Sequence, residues 1–173
     1  DDIFRIASQT KAVTATAVMM LWEEGKFRLD DPIAKFIPEF REVMVLESFH
    51  PEDSSYTARP ADKPITIRHL LTHTSGLGYG MIANDTFRKI YQKAGITDAF
   101  TTLPLRIGEN VKNLAGMPLH FNPGEKYRYC LGLDVLGYLV EILSGQTLDE
   151  FFRERIFDPL GMNDTYFYLP AAT

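Results

Sequence analysis

The sequence predicts a mostly helical single domain, and three observations predict it. Two long runs, Ser8 to Glu24 and Leu131 to Ser144, are largely apolar and contain no proline. Each closes at a glycine, Gly25 and Gly145, the residue that best tolerates the left-handed turn ending a helix. The shorter segments between and after them open on capping residues, and only Tyr166 to Leu169 reads as a strand.

The elements follow in order. Between Ala12 and Trp22 every residue is apolar or a small threonine, the pattern of a central helix packed on every side. Asp30 or Asp31 caps a short helix around Ile33 to Phe36, with Pro32 at its first position and Pro38 as its stop. His50 to Pro64 is rich in Pro, Ser, Asp and Ala and reads as a surface loop. Thr66 caps a short helix to Thr72, and Gly76, Gly78 and Gly80 make the next stretch a turn. Asn84 to Ala94 is a capped amphipathic helix, and Leu105 to Ala115 is another, weakened by Gly108. Phe121-Asn122-Pro123-Gly124 is a turn ahead of the second apolar helix, which is charged only at Asp134 and Glu141. Thr147 opens the last helix, Leu148 to Phe157, with Glu150 completing a capping box.

Composition narrows the function. A chain of 173 residues, 45% hydrophobic and 24% charged, has room for one sizeable core, which excludes a disordered chain and a disulfide-stapled miniprotein. The 18 Lys and Arg against 23 Asp and Glu give a net charge of -5 with no basic block, an arrangement that argues against a nucleic-acid partner. Cys130 is the single cysteine, so no internal disulfide forms and the redox compartment stays open. Ala12 to Trp22 is too short to span a bilayer, so no membrane segment is expected in this chain. Asp1 and Asp2 stand where a leader would be basic, and the missing initial Met suggests a trimmed or partial chain.

Ser8 and Lys11 form Ser-x-x-Lys at the start of the first long helix, a spacing that puts both on one face about one turn apart. A serine hydroxyl is inert until a nearby base takes its proton, and a lysine with a lowered pKa can be that base. The helix neighbours of Lys11 are Ala7, Ser8, Thr14 and Ala15, with no carboxylate among them. The alternative is a solvated lysine in a first helical turn. Tyr129 precedes the second apolar helix, where the dipole is positive and a phenol can relay protons if it faces Lys11. Otherwise it is a packing aromatic. His69 and His73 share the spacing of paired metal ligands, but Leu70 stands where a zinc protease carries glutamate and no third ligand is evident. The Gly76 to Gly80 run follows a helix and lacks the Lys-Ser/Thr ending of a phosphate loop. Ser75 lacks the upstream glycine of a nucleophile elbow, and Cys130 reads as a small buried residue.

Taken together, these segments resemble the serine β-lactamase and penicillin-binding-protein superfamily, especially its class C-like and esterase branch. Phe4 to Lys11 is similar to the nucleophile motif, and Leu29-Asp30-Asp31-Pro32-Ile33 to the turn after the family's central helix. Ile67 to Leu77 (Ile-Arg-His-Leu-Leu-Thr-His-Thr-Ser-Gly-Leu) resembles the family's most recognisable loop. Phe121 to Tyr129 and Ile156 to Met162 complete the order. The resemblance implies Ser8 as nucleophile, Lys11 as its base, Tyr129 as a proton relay, and a structural histidine pair. It implies no cofactor and a small-molecule ester or amide substrate. It also implies a periplasmic or secreted protein, leaves a cytoplasmic one open, and leaves the oligomeric state unknown.

Two departures from the family pattern matter. Cys130 and Leu131 follow Tyr129 where the family often has Ser and Asn, which favours ester cleavage over β-lactam or peptide recognition. Leu131 is expected to offer an apolar acyl chain contact area. The third family motif is nowhere in the sequence. The expected fold class is therefore α+β, the mostly helical portion of a β-lactamase/transpeptidase-like fold with most of its antiparallel sheet missing. By this resemblance, residues 1–173 are expected to form a single-domain fragment of a serine hydrolase that is inactive alone. The alternative function is a non-catalytic penicillin-recognising or sensor module of the same fold.

Overall fold

A computed structural model describes residues 3–98, 101 and 103–169; Asp1 and Asp2, which open the sequence, lie outside them. The first predicted helix begins as a 3-10 turn at Ala7–Gln9 and continues as α1 (Thr10–Glu23). Its expected successor is a 3-10 turn, Ile33–Lys35, followed by a second at Pro38–Phe40.

The tract read as a surface loop is instead half of a hairpin. Strands β1 (Met44–His50) and β2 (Ser55–Pro60) pair antiparallel, from Met44 opposite Pro60 to His50 opposite Ser55, with an irregularity at Glu47. The polar residues that suggested a loop make its turn. Ser54 N–H donates to the His50 carbonyl at 2.9 Å, and Asp53 Oδ1 accepts from Ser55 N–H at 2.9 Å. Pro60 lacks a donor but stands at the strand end, where none is required. On the other side of β1, Leu46 N–H donates to the Leu119 carbonyl at 2.9 Å and Leu119 N–H to the Met44 carbonyl at 2.7 Å.

The remaining helices form close to where their caps predict. Helix α2 (Ile67–Leu71) starts at Thr66, whose hydroxyl accepts from His69 N–H at 3.2 Å. Helix α3 (Asp85–Lys93) starts at Asn84, whose side chain accepts from Phe87 N–H at 3.1 Å. Helix α4 (Ile107–Ala115) follows, and Glu109 accepts from Arg106 N–H at 3.2 Å. Helix α5 (Gly132–Ser144) ends at Gly145, which has φ +74°. Helix α6 (Leu148–Phe152) opens with Glu150 accepting from Thr147 N–H at 3.0 Å, and it widens into a π-type turn at Arg153–Phe157. The predicted strand at Tyr166 to Leu169 does not form, and the segment is irregular. Side-chain contacts hold it: Phe167 packs on Phe152 at 5.3 Å between ring centres, and Arg153 lies 5.1 Å from the Tyr166 ring centre.

Centrality also shifts from the expected helix. Helix α5 buries Leu133, Val135, Leu136, Leu139 and Val140, and α1, α2, α4 and α6 all pack against it. Helix α1 buries one stripe, Thr14, Ala17, Val18 and Leu21, while Trp22 on another face is 40% exposed. An apolar helix shows its full burial only where neighbours exist, and among the described residues α1 has them chiefly on the α5 side. The architecture is α+β, a helical layer around α5 with one two-stranded sheet.

The approach of α2 to α5 depends on Gly132. A Cβ there would lie 2.8 Å from the Leu70 carbonyl oxygen, which belongs to backbone and cannot swing aside. Gly132→Ala is expected to destabilise the fold by about 1–3 kcal/mol through overpacking. Gly116→Ala, whose Cβ would meet only the Asn113 carbonyl oxygen at 3.5 Å, should be neutral or slightly stabilising. Urea denaturation of the two variants beside the parent measures the contrast.

Candidate active site

Ser8 lies in the 3-10 turn ahead of α1 and is exposed. Ala7 before it adopts φ +45°, a left-handed conformation uncommon for a residue with a Cβ, so the chain enters the helix through a strained bend. One turn on, half-buried Lys11 donates from Nζ to Ser8 Oγ at 3.5 Å. Tyr129, from the segment before α5, donates its hydroxyl to the same Ser8 Oγ at 2.8 Å. The fold thus gathers all three residues singled out in the sequence around one oxygen.

The surroundings of Lys11 differ from the expectation. Burial works to lower the pKa of its ammonium, but the Tyr129 hydroxyl and the charge of Asp134 outweigh that, with a smaller contribution from Tyr79, and the net shift is upward. Among the helix neighbours of Lys11 at three and four residues there is indeed no carboxylate. Helix α5 brings one across, because Asp134 sits in its first turn. Burial pushes the Asp134 carboxyl upward while Lys11 pulls it down. Lys11 Nζ also lies 5.0 Å from the ring centre of Tyr129 and 5.4 Å from that of Tyr79. Those two rings stack at 5.8 Å.

Tyr79 and Asp134 are the site neighbours that the sequence reading missed. Asp134 left a signal, a lone charge in the first turn of an otherwise apolar helix. Tyr79 left none, since it stands between two glycines with no periodicity to place it.

The other candidates have separate tasks. His69 Nδ1 accepts from Thr66 N–H at 3.2 Å, so this imidazole plays the part that glutamate usually plays in a capping box. His73 instead turns to the Tyr129 segment, where its Nδ1 accepts from Cys130 N–H at 3.3 Å. The two histidines therefore do not share a ligand position. Ser75 is fully buried, and its Oγ accepts from Leu77 N–H at 3.3 Å. Cys130 is buried, as expected. Leu131 is 1% exposed within the core, which overturns the expected contact between its side chain and an acyl group. Its contribution is to the backbone, where Leu131 N–H donates to the Gly78 carbonyl at 3.0 Å.

That docking of loops has a steric condition at Gly76. Its φ is +85°, and a Cβ would collide with the Phe121 carbonyl oxygen. With glycine there, His120 N–H reaches the Gly76 carbonyl at 2.8 Å, and Gly124 N–H reaches the Thr74 carbonyl at 2.7 Å. The loop after α2 is thereby fastened along the segment that carries Tyr129.

Known proteins share this arrangement of segments. The chain is 38% identical over 167 residues to the esterase EstB of Burkholderia gladioli, a match covering 96% of this chain and 39% of that protein. It is 36% identical over 168 residues to a lovastatin esterase of Penicillium rubens, covering 97% of this chain and 40% of that one. The chain thus spans about 40% of the length of the curated relatives it matches. Among solved structures, EstCE1, a hydrolase with promiscuous acyltransferase activity, is similar with a TM-score of 0.75 and 32% identity, over 91% of this chain and 38% of that one. The beta-lactamase family model matches residues 1–173, the whole sequence, and this chain belongs to that family.

Proposed function

We propose that this chain carries the nucleophile and proton-transfer groups of a serine hydrolase that cleaves small-molecule esters through an acyl-enzyme. The observation that carries the proposal is the meeting at Ser8 Oγ, with Tyr129 Oη at 2.8 Å and Lys11 Nζ at 3.5 Å. Two relatives are named esterases, which supports an ester as the substrate class.

The chemistry follows from that contact. With Lys11 as the neutral amine, the Ser8 proton moves to the Tyr129 oxygen as the Tyr129 proton moves to Lys11 Nζ. Ser8 Oγ then forms a bond to the ester carbonyl carbon. When the tetrahedral intermediate collapses, the bond to the leaving alkoxide breaks and the alkoxide takes the proton back through the same pair. Water repeats the sequence on the acyl-Ser8 ester, releasing the acid. The residues hold and move every proton, so the route needs no cofactor.

In the protein that carries this chain, Ser8→Ala should lower kcat/KM for a p-nitrophenyl ester by about 10^4-fold or more, and Lys11→Ala by about 10^2–10^4-fold. The parent should favour that ester over a chromogenic cephalosporin. Full activity in Lys11→Ala would remove lysine from the relay. A labelled Ser8 that never releases its acyl group would favour a sensor module instead.

The pH dependence carries a sign. Asp134 helps to hold the proton on Lys11, and the neutral amine is the working form, so activity should rise with pH as that proton leaves. Asp134→Asn removes the attraction and lowers the Lys11 pKa. The ascending limb of kcat/KM against pH should therefore move to lower pH. An unmoved or alkaline-shifted limb would contradict the pairing.

We further propose that these 173 residues alone neither turn over ester nor stay monomeric. Exposed apolar side chains support this: Ile3 is 74% exposed and Phe4 79% ahead of Ser8, and Trp22 is 40% exposed at the far end of α1. A monomeric preparation of the chain, by light scattering, that hydrolyses p-nitrophenyl acetate would refute it.

A further inference from the structure

We infer that His73 is a positioning residue for the Tyr129 relay, gripping that tyrosine through both of its backbone neighbours and its ring. The inference rests on the relay role proposed above for Tyr129, and it adds the residue that sets where the phenol oxygen sits.

Three contacts carry it. Arg128 N–H donates to the His73 carbonyl oxygen at 2.8 Å, and Cys130 N–H donates to His73 Nδ1 at 3.3 Å. The residues on either side of Tyr129 are thus tied to one residue of the loop after α2. Between these ties the His73 ring lies against the Tyr129 ring, 4.8 Å between centres and tilted by 34°. Tyr127 meets the His73 ring edge-on, the ring centres 6.0 Å apart at 80°.

The same contacts fix the chemical form of the histidine. Nδ1 accepts a hydrogen bond, so it carries no proton and the neutral ring is protonated at Nε2. Burial, together with the nearby Lys11 charge, lowers the His73 pKa and keeps this form. The Cys130 Sγ lies 3.3 Å from Nδ1 and shares that acceptor edge. His73 also adopts φ +55°, a left-handed conformation that His and Asn tolerate better than most residues. In it, one residue ends the turn after α2 and turns both its carbonyl and its ring toward the Tyr129 segment.

A structural brace and a positioning residue predict different losses. The loop after α2 keeps the Gly124-to-Thr74, His120-to-Gly76 and Leu131-to-Gly78 backbone bonds without the His73 side chain. Removing that side chain should therefore leave the loops docked while Tyr129 loses its local hold. The cost should fall on kcat rather than on KM.

The test uses the protein that carries this chain and p-nitrophenyl butyrate as substrate. His73→Gly keeps the φ and deletes the acceptor and the ring; it should lower kcat about 10–100-fold with KM within about two-fold, a part of what acid–base groups contribute. His73→Asn, whose Oδ1 can accept from Cys130 N–H and whose backbone tolerates the same φ, should recover kcat to within about five-fold of the parent. In a Tyr129→Phe background, His73→Gly should change kcat less than about two-fold, because its effect passes through the phenol. His73→Ala, acceptor-less with a different backbone cost, is read the same way if His73→Gly does not fold. Parent-like kcat in the acceptor-less variants overturns the inference. So does an Asn variant as slow as Gly, or an undiminished loss in the Tyr129→Phe background. Failure of the relay itself has a separate signature, a Tyr129→Phe single variant with parent-like kcat.

Discussion

The contact between α1 and α5 sets everything else in the site. Thr14, Ala17, Val18 and Leu21 repeat at three- and four-residue intervals and bury one stripe of α1 against α5. Lys11 lies three residues before Thr14, so it continues the same stripe toward the N-terminal end of α5. The packing that removes Val18 and Leu21 from water therefore delivers Lys11 to Asp134. A slide of one helical turn, about 5.4 Å, would separate them. Apolar side chains with no chemistry of their own thus fix the register of the ionic ones.

That register also explains why Lys11 behaves against its local sequence. Desolvation alone would favour the neutral amine, the form a general base needs, but the fold sets the ammonium beside a phenol and in the field of the Asp134 carboxyl. The arrangement trades basicity at neutral pH for a defined position. Lys11 sits one turn from Ser8 on one side and across from Asp134 on the other, held over two tyrosine rings.

The parts of the fold legible in the sequence are those whose signals are local. Thr66, Asn84, Glu150 and Gly145 mark helix ends because a cap acts within one turn. The hairpin was illegible for the opposite reason. Its second strand is polar and short, and β1 completes its pairing only through Leu119, far along the chain. The breadth of burial on α1 misled for a related reason, since composition shows that a helix can be covered and not which neighbours cover it. In the site, Ser8, Lys11 and Tyr129 were legible from helical spacing and ordered motifs. Asp134 and His73 act on residues remote in sequence, and only the packing of α5 and the loop after α2 reveals their tasks.

The two halves of the site are held in unlike ways. Tyr129 is fastened by a ladder of backbone bonds running from His73 to Gly78, a rigid reference. Ser8 hangs from one short turn, in which Gln9 N–H donates to the Ile6 carbonyl at 3.0 Å after the strained bend at Ala7. The residues leading into that turn, Ile3, Phe4 and Ile6, are 74%, 79% and 43% exposed. Local strain at a bend persists only where the surroundings over-determine it. Apolar contact over Ile3, Phe4 and Ile6 is therefore the natural lever on Ser8: covering them would hold the bend and keep the Ser8 oxygen against an already fixed phenol.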